Sequence, residues 1–201
     1  PKASFHCLPK SPITLPMLNT ILHGTAASAR PLLIAHGLFG SGRNWGVIAK
    51  RLSDERQVIA VDMRNHGSSL HSEDHSYEAM AADLAEVVTA HGGRADVLGH
   101  SMGGKAAMLL ALKHPELVGR LTVADIAPVS YTHSQQQYID AMRALDLSAI
   151  ETRSDAQEAL LPLVKDPTLA AFFTQSLDVK GRAWRLNLAA LEAASEADLR
   201  A

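Results

Sequence analysis

The stretch VLGHSMGGKAAM, residues 97–108, contains a Gly-x-Ser-x-Gly pattern where a buried strand runs directly into a buried helix. A turn this sharp strains its central residue and brings the strand and the helix close together. The flanking positions must then be almost free of side chain, as Gly99 and the Gly103-Gly104 pair are. The pattern predicts that the Ser101 hydroxyl is exposed above a sheet, with the Met102 amide N–H pointing the same way at the head of a helix.

Short apolar runs alternate with helical patterns on both sides of this turn, which is typical of a parallel sheet with crossover helices and predicts an α/β fold. Beyond residue 129 we find only helical signals. We therefore expect a flexible N-terminus over 1–12, an α/β core over 13–129 and a helical cap over 130–201. The predicted strands are 13–22, 31–35, 57–61, 95–98 and 117–125, and the predicted helices of the core begin near 44, follow the N-cap Ser76, and cover 106–112, a helix expected to be buried on every side.

The composition excludes several classes of protein. The 201 residues carry 19 Lys+Arg and 21 Asp+Glu, a net charge of -2, without a basic block, which argues against a nucleic-acid partner. No apolar run approaches the ~18 residues of a membrane helix, so no membrane association is expected. Cys7 is the single cysteine, and residues 1–12, PKASFHCLPKSP, lack the apolar h-region of a secretory signal. We therefore expect a cytoplasmic protein in a reducing compartment.

Five motifs in order give a more specific signal. They are HGLFGS, NW, VDMRNHGSS, GHSMGGKAAM and ADIAPVSY, and the chain resembles the α/β-hydrolase fold over roughly residues 31–193. More narrowly it resembles small serine esterases of the bacterial YbfF type and their mitochondrial relatives, and the later WRLNLAAL is similar to a segment near the end of their helical cap. The resemblance implies an esterase for small or medium acyl esters or thioesters, with no metal and no organic cofactor.

The same resemblance implies a role for particular residues. Ser101 would be the nucleophile, and the amides of Met102 and Leu38 would form the oxyanion hole, with Phe39 as the fallback for Leu38. Asp125 would be the acid of the triad. Two alternatives to this role stay open. Other members of the fold carry the acid one strand later, and an Asp beside Pro128 also suits a capping or turn position with no catalytic role.

The chain departs from the pattern at the third member of the triad. Triad order in this fold is Ser, Asp, His, and the one histidine after Asp125 is His133, at the start of the helical segment rather than after a strand. We expect the catalytic histidine, the last strands and the C-terminal helix to lie outside residues 1–201, which would then have little activity alone. The strand ending at Asp125 would keep an open edge that favours self-association. A non-catalytic binding module and a C–C hydrolase or perhydrolase of the same fold are the alternative functions.

Three weaker signals complete the sequence reading. Gly40, Gly42 and Gly46 with Asp62 imitate a dinucleotide fingerprint, but their spacing differs from Gly-x-Gly-x-x-Gly, and Asp62 is expected to bind Arg64 or backbone groups instead. The loop histidines His66, His71 and His75 are interpreted as solvated side chains rather than metal ligands. Candidates to line an acyl pocket under the cap are Phe172, Phe173 and Trp184.

Overall fold

A five-stranded sheet in the order β1-β3-β2-β4-β5 forms the centre of the computed structural model, which describes residues 18–25, 29–129 and 135–198. The strands β2 to β5 run parallel, and β1 is antiparallel to β3. The predicted α/β sheet is thereby confirmed. The predicted N-terminus 1–12 and His133 lie outside the described residues. The strands are β1 (Thr20–His23), β2 (Leu32–Ala35), β3 (Val58–Val61), β4 (Ala95–His100) and β5 (Val118–Ala124).

The sheet positions the functional loops. All four residues of β3 are buried, and β2 buries three of its four residues. Such continuous apolar runs are typical of parallel strands covered on both faces. Because β2, β4 and β5 are neighbours and parallel, the segments after Ala35, His100 and Ala124 meet at the same edge of the sheet. A site in an open α/β sheet is expected at this edge.

Three helices flank the sheet: α1 (Gly46–Leu52), α2 (Tyr77–Ala90) and α3 (Met102–Lys113). The predicted N-cap of α2 is confirmed, since Ser76 Oγ accepts a hydrogen bond from the Ala79 amide at 3.2 Å. The expectation that α3 is buried on every side is wrong. Leu112 is 80% exposed, because α3 packs against α2 and the sheet and leaves its remaining face to solvent.

Residues 135–198, which we call the cap segment, contain four α-helices, a short 3₁₀ helix at Leu147–Ala149 and a short hairpin. None of the helices among the described residues has both the length and the apolar character needed to cross a bilayer. The hairpin corrects the expectation of an all-helical segment. Its turn is held by Asp178, whose Oδ1 accepts a hydrogen bond from the Gly181 amide at 3.0 Å. The elements are α4 (Gln136–Ala144), α5 (Arg153–Val164), α6 (Pro167–Thr174), β6 (Leu177–Asp178), β7 (Ala183–Trp184) and α7 (Leu188–Asp198).

The Arg-Leu-Asn sequence that follows β7, residues 185–187, ties the cap segment to the loop that follows β3. The Gly67 amide donates to the Arg185 carbonyl at 2.8 Å, and the Asn187 amide donates to the Asn65 carbonyl at 3.0 Å. Asn187 Nδ2 also donates to Asn65 Oδ1 at 3.1 Å. These bonds fix the cap segment above the edge of the sheet where the loops meet.

Candidate active site

Ser101 lies in the strained turn that the sequence predicts. Its backbone has φ 51° and ψ −118° between β4 and α3, a region that non-glycine residues seldom adopt. The close approach explains the neighbouring glycines. A Cβ on Gly99 would lie 2.6 Å from Gly104 Cα, and a Cβ on Gly103 would lie 2.6 Å from the His36 carbonyl oxygen. The geometry is that of a nucleophile elbow.

Three polar groups at this turn and in the neighbouring loop after β2 make no hydrogen bond to the described residues. Across the described residues no hydrogen bond involves the Ser101 hydroxyl or the amide N–H of Leu38 or Met102. Met102 is the first residue of α3, so its N–H belongs to the helix end that has no intrahelical acceptor. The turn and the loop after β2 are in contact, since a Cβ on Gly37 would lie 3.1 Å from Ser101 Cβ. The three groups are therefore available to a bound molecule.

His36 is a structural residue of the loop after β2. It is 1% exposed, its Nδ1 lies 2.8 Å from the Gly37 carbonyl oxygen, and its Nε2 accepts a hydrogen bond from the Met63 amide at 2.9 Å. One nitrogen donates and the other accepts, so the ring is neutral and carries its proton on Nδ1. Burial lowers the pKa of His36 to about 4. The ring therefore shapes the loop as a neutral hydrogen-bonding group.

His66 holds the next part of the same loop. Its Nε2 accepts a hydrogen bond from the Phe39 amide at 3.1 Å, and its Nδ1 lies 2.9 Å from the Arg64 carbonyl oxygen. The Phe39 N–H is thereby occupied, which argues against Phe39 as the fallback donor and leaves Leu38. His66 is fully buried, and burial holds its pKa well below the usual value. The expectation of a solvated loop histidine is wrong for His66.

His75 corrects the same expectation. Its side chain is largely buried, which lowers its pKa to about 4. Its Nδ1 lies 3.2 Å from Asn65 Nδ2, and His71 is the exposed member of the three. Among the described residues no three His, Cys, Asp or Glu side chains converge as metal ligands would.

Asp125 follows β5, beside the Ser101 turn. The Ser101 amide donates to the Ala124 carbonyl at 3.0 Å, so the two segments are held edge to edge. Asp125 Oδ2 lies 3.5 Å from Nε2 of His100, and the Asp125 side chain is 84% exposed. Its φ of 59° is a left-handed conformation that Asp tolerates better than most residues. The carboxylate thus lies on the cavity wall with its outer face in solvent.

A cavity of about 1020 Å³ lies above Ser101. Phe172 and Phe173 line it as the sequence suggests, whereas Trp184 does not. Trp184 instead packs within the cap segment and donates from Nε1 to the Met142 carbonyl at 2.9 Å. Sequence reasoning missed several apolar lining residues, and the NW motif was the one available signal for the first of them. They are Trp45, Ile48, Tyr138, Leu169 and Leu191.

The imitation of a dinucleotide fingerprint has a structural explanation. Asp62 accepts hydrogen bonds from the Gly42 amide at 2.8 Å and from the Ser68 amide at 2.9 Å. The expectation that Asp62 binds backbone groups is confirmed. Arg64 does not pair with Asp62 but with Asp83, at 2.6 Å between Nε and Oδ2.

Comparison with known proteins agrees with this geometry. A family model described as the alpha/beta hydrolase fold matches residues 30–194. The chain belongs to the α/β-hydrolase fold family. A marine microorganism esterase has a similar structure, with a TM-score of 0.83 and 36% identity over 90% of this chain and 73% of that chain.

Curated relatives of this α/β hydrolase include esterases and lipases. The mouse (Mus musculus) sn-1-specific diacylglycerol lipase ABHD11 is 42% identical over 185 residues, 87% of this chain and 60% of that protein. The Escherichia coli esterase YbfF is 37% identical over 163 residues, 80% of this chain and 63% of that protein. The resemblance to YbfF-type esterases is confirmed. The chain spans less than two thirds of the length of each of these two relatives.

Proposed function

We propose that this chain carries the nucleophile and the oxyanion hole of a serine hydrolase for carboxylic esters or thioesters with small or medium acyl groups. One observation carries the proposal. The unbonded hydroxyl of Ser101 sits in a strained elbow beside two unused amides, those of Leu38 and Met102, under a largely apolar cavity.

The first half-reaction forms an acyl-enzyme. Ser101 Oγ attacks the carbonyl carbon, and its proton passes to a histidine base. The carbonyl oxygen becomes an oxyanion that accepts hydrogen bonds from the Leu38 and Met102 N–H groups. Donors fixed in place before the reaction are worth ~10²–10³ in rate for each donor. The carbon–oxygen or carbon–sulfur bond then breaks, and the base returns its proton to the leaving group.

The second half-reaction restores the enzyme. Water loses a proton to the same histidine and attacks the acyl carbon, and the Ser101 ester bond breaks with return of the proton to Oγ. The base that we propose is a histidine outside the described residues, oriented by the Asp125 carboxylate. His36 and His66 are unsuited to the task, because both rings are buried and both nitrogens of each are engaged.

The cavity above Ser101 is suited to bind the acyl group of the proposed substrate. Its apolar wall from α1, α4 and α6 includes Ile48, Tyr138 and Leu169, and it suits a hydrocarbon chain attached at Ser101. Its volume of about 1020 Å³ exceeds what the shortest acyl chains need. Esters with a medium chain are therefore expected to react faster than acetates.

The test is intact mass after incubation with a fluorophosphonate, with and without added imidazole as an external base. We expect a single adduct on Ser101 that imidazole accelerates. Ser101→Ala should abolish the adduct, and the control Ser148→Ala, at an exposed serine, should leave it unchanged. A folded chain that gives no adduct under either condition would overturn the proposal and favour a non-catalytic binding module.

A further inference from the structure

A second, smaller cavity lies outside the one above Ser101 and is strongly cationic. Its volume is about 260 Å³, and four basic side chains from three parts of the chain meet there around one carboxylate. Arg43 comes from the segment before α1, Arg153 from the start of α5, and Lys180 and Arg185 from the hairpin region. We call these four residues the cation site, because each of their side chains carries a positive charge.

The charges of the cation site are only partly neutralised. Asp178 Oδ2 pairs with Arg185 Nη2 at 3.0 Å, and Arg153 Nη2 donates to the Leu177 carbonyl at 3.4 Å. Within the described residues, the side chains of Arg43 and Lys180 have no hydrogen bond and no ion pair. Four like charges held around a single carboxylate repel one another, and a bound anion would relieve that repulsion.

The neutral groups of the cavity also favour an anion. Gln175 lines it, and its Oε1 is occupied by Asn44 Nδ2 at 2.5 Å. That bond turns the Gln175 Nε2 donors away from Asn44, which leaves them available as further hydrogen-bond donors. Guanidinium groups match phosphate oxygens with two parallel bonds, and hydrogen bonds of this charged kind are the strong ones.

We propose that the cation site binds a phosphate or pyrophosphate group. The cavity volume of about 260 Å³ is below the ~300–1,000 Å³ of pockets that enclose a whole small molecule. The ligand is therefore a compact anion or the anionic end of a larger molecule. This binding is independent of the chemistry at Ser101.

The cation site adjoins the loop that presents Leu38. Arg43 precedes Asn44, which lines the large cavity and donates a hydrogen bond to Gln175 in the wall of the smaller cavity. On the same side, Ser176 Oγ donates to the Phe39 carbonyl at 2.9 Å. A phosphate bound by Arg43 would thus lie beside Asn44, the next residue in the chain, which lines the large cavity.

The test is isothermal titration of the chain with inorganic pyrophosphate at low salt. We expect saturable binding that weakens as NaCl is raised. Arg43→Ala with Lys180→Ala should weaken binding at least ~tenfold, because the change removes two charged donors that have no other partner among the described residues. The matched control, Lys113→Ala with Arg120→Ala, removes two charges from exposed residues that do not line the cation site, and should change the affinity less than ~twofold.

A variant that is expected to bind pyrophosphate more tightly provides a second test. Asp178→Asn removes the competing carboxylate and frees Arg185, while the amide oxygen keeps the acceptor for the Gly181 N–H. We expect pyrophosphate to bind ~threefold or more tightly to this variant. The absence of saturable binding to the unmodified chain, or equal weakening by both double variants, would overturn the proposal.

One further probe separates the two sources of the phosphate. S-hexyl phosphopantetheine thioether resists hydrolysis and joins a phosphate to an apolar tail. Binding ~tenfold tighter than pyrophosphate, lost when Leu169→Trp fills the large cavity, would place the phosphate on a substrate that spans both cavities. Affinities no tighter than pyrophosphate would identify a free anion as the ligand. This probe alone depends on the proposed function, and the titration with pyrophosphate does not.

Discussion

The two strand ends beside Ser101 differ in how they are held. After β2, the loop that presents Leu38 is fixed by His36 and His66, which are 1% and 0% exposed. After β5, the Asp125 side chain is 84% exposed and has one charged partner among the described residues, His100 at 3.5 Å. The loop that presents Leu38, the proposed oxyanion donor, is therefore held by contacts within the described residues, whereas Asp125, the proposed acid, has almost no support among them.

The largest effect is expected where the turn itself meets the loop after β2. Gly103→Ala would place a Cβ 2.6 Å from the His36 carbonyl oxygen, a backbone atom that cannot move aside. We expect the free energy of unfolding in urea to fall by ~3 kcal/mol. Gly46→Ala is the control, because a Cβ there meets nothing within 4 Å, and it should be neutral or stabilising. A Gly103→Ala chain as stable as the unmodified one would contradict the packing described for the elbow.

His66→Ala tests the support of the loop directly. The change leaves the buried Phe39 amide without its acceptor and removes the edge contact with the His36 ring at 5.1 Å. We expect a loss of ~2–3 kcal/mol in urea unfolding. His71→Ala, at the exposed histidine of the same stretch, should stay within ~0.5 kcal/mol. Equal losses in both variants would show that burial does not distinguish them.

The same loop should make stability depend on pH. The pKa of His36 is lowered to about 4 in the folded chain, below the ~6.5 of an unfolded histidine. The unfolded state therefore binds more protons below pH ~6.5, and the stabilisation present above that pH is lost as the pH falls towards 4. We expect the free energy of unfolding to drop by ~2 kcal/mol for His36 between pH 7 and pH 5. Urea curves at the two pH values measure it, and a flat profile would contradict a neutral buried ring.

The smallest effect is expected on the other side of the site. Asp125→Asn removes the charge of an exposed carboxylate and weakens one long contact with His100, while Asn tolerates the left-handed backbone as Asp does, so stability should change by less than ~0.5 kcal/mol. Thermal and urea unfolding of the variant beside the unmodified chain test this. A loss above ~1 kcal/mol would show that the segment after β5 is held as firmly as the loop after β2.

Sequence alone predicted the parts of this molecule that depend on local pattern. The elbow follows from three glycines around Ser101 at a strand-to-helix junction, and the strands follow from short apolar runs. The prediction that Trp184 lines the acyl pocket was wrong, because a tryptophan side chain suits an apolar wall and a hydrogen-bonded position equally well. Only the fold shows that its N–H donates to the Met142 carbonyl inside the cap segment.

Other features depend on contacts between distant residues. His66 lies among polar residues in the sequence, so no local pattern predicts its burial. The burial depends on the docking of the cap segment, whose Leu186 forms an isolated β-bridge with His66. The hairpin of β6 and β7 has two residues in each strand, too few to give an alternating pattern.

The hydrogen bond from Ser176 to the Phe39 carbonyl has a consequence for how a substrate enters. Ser176 is buried, and the cap segment is also fastened at Asn65 and Gly67. A lid that swung away to admit substrate would pull on Phe39 and distort the loop that presents Leu38. Under the proposed function, such a motion would disturb the proposed oxyanion hole in every catalytic cycle. We therefore expect the cap segment to stay in place, and lining side chains such as Leu169 and Phe172 to set the acyl preference without any change to those bonds.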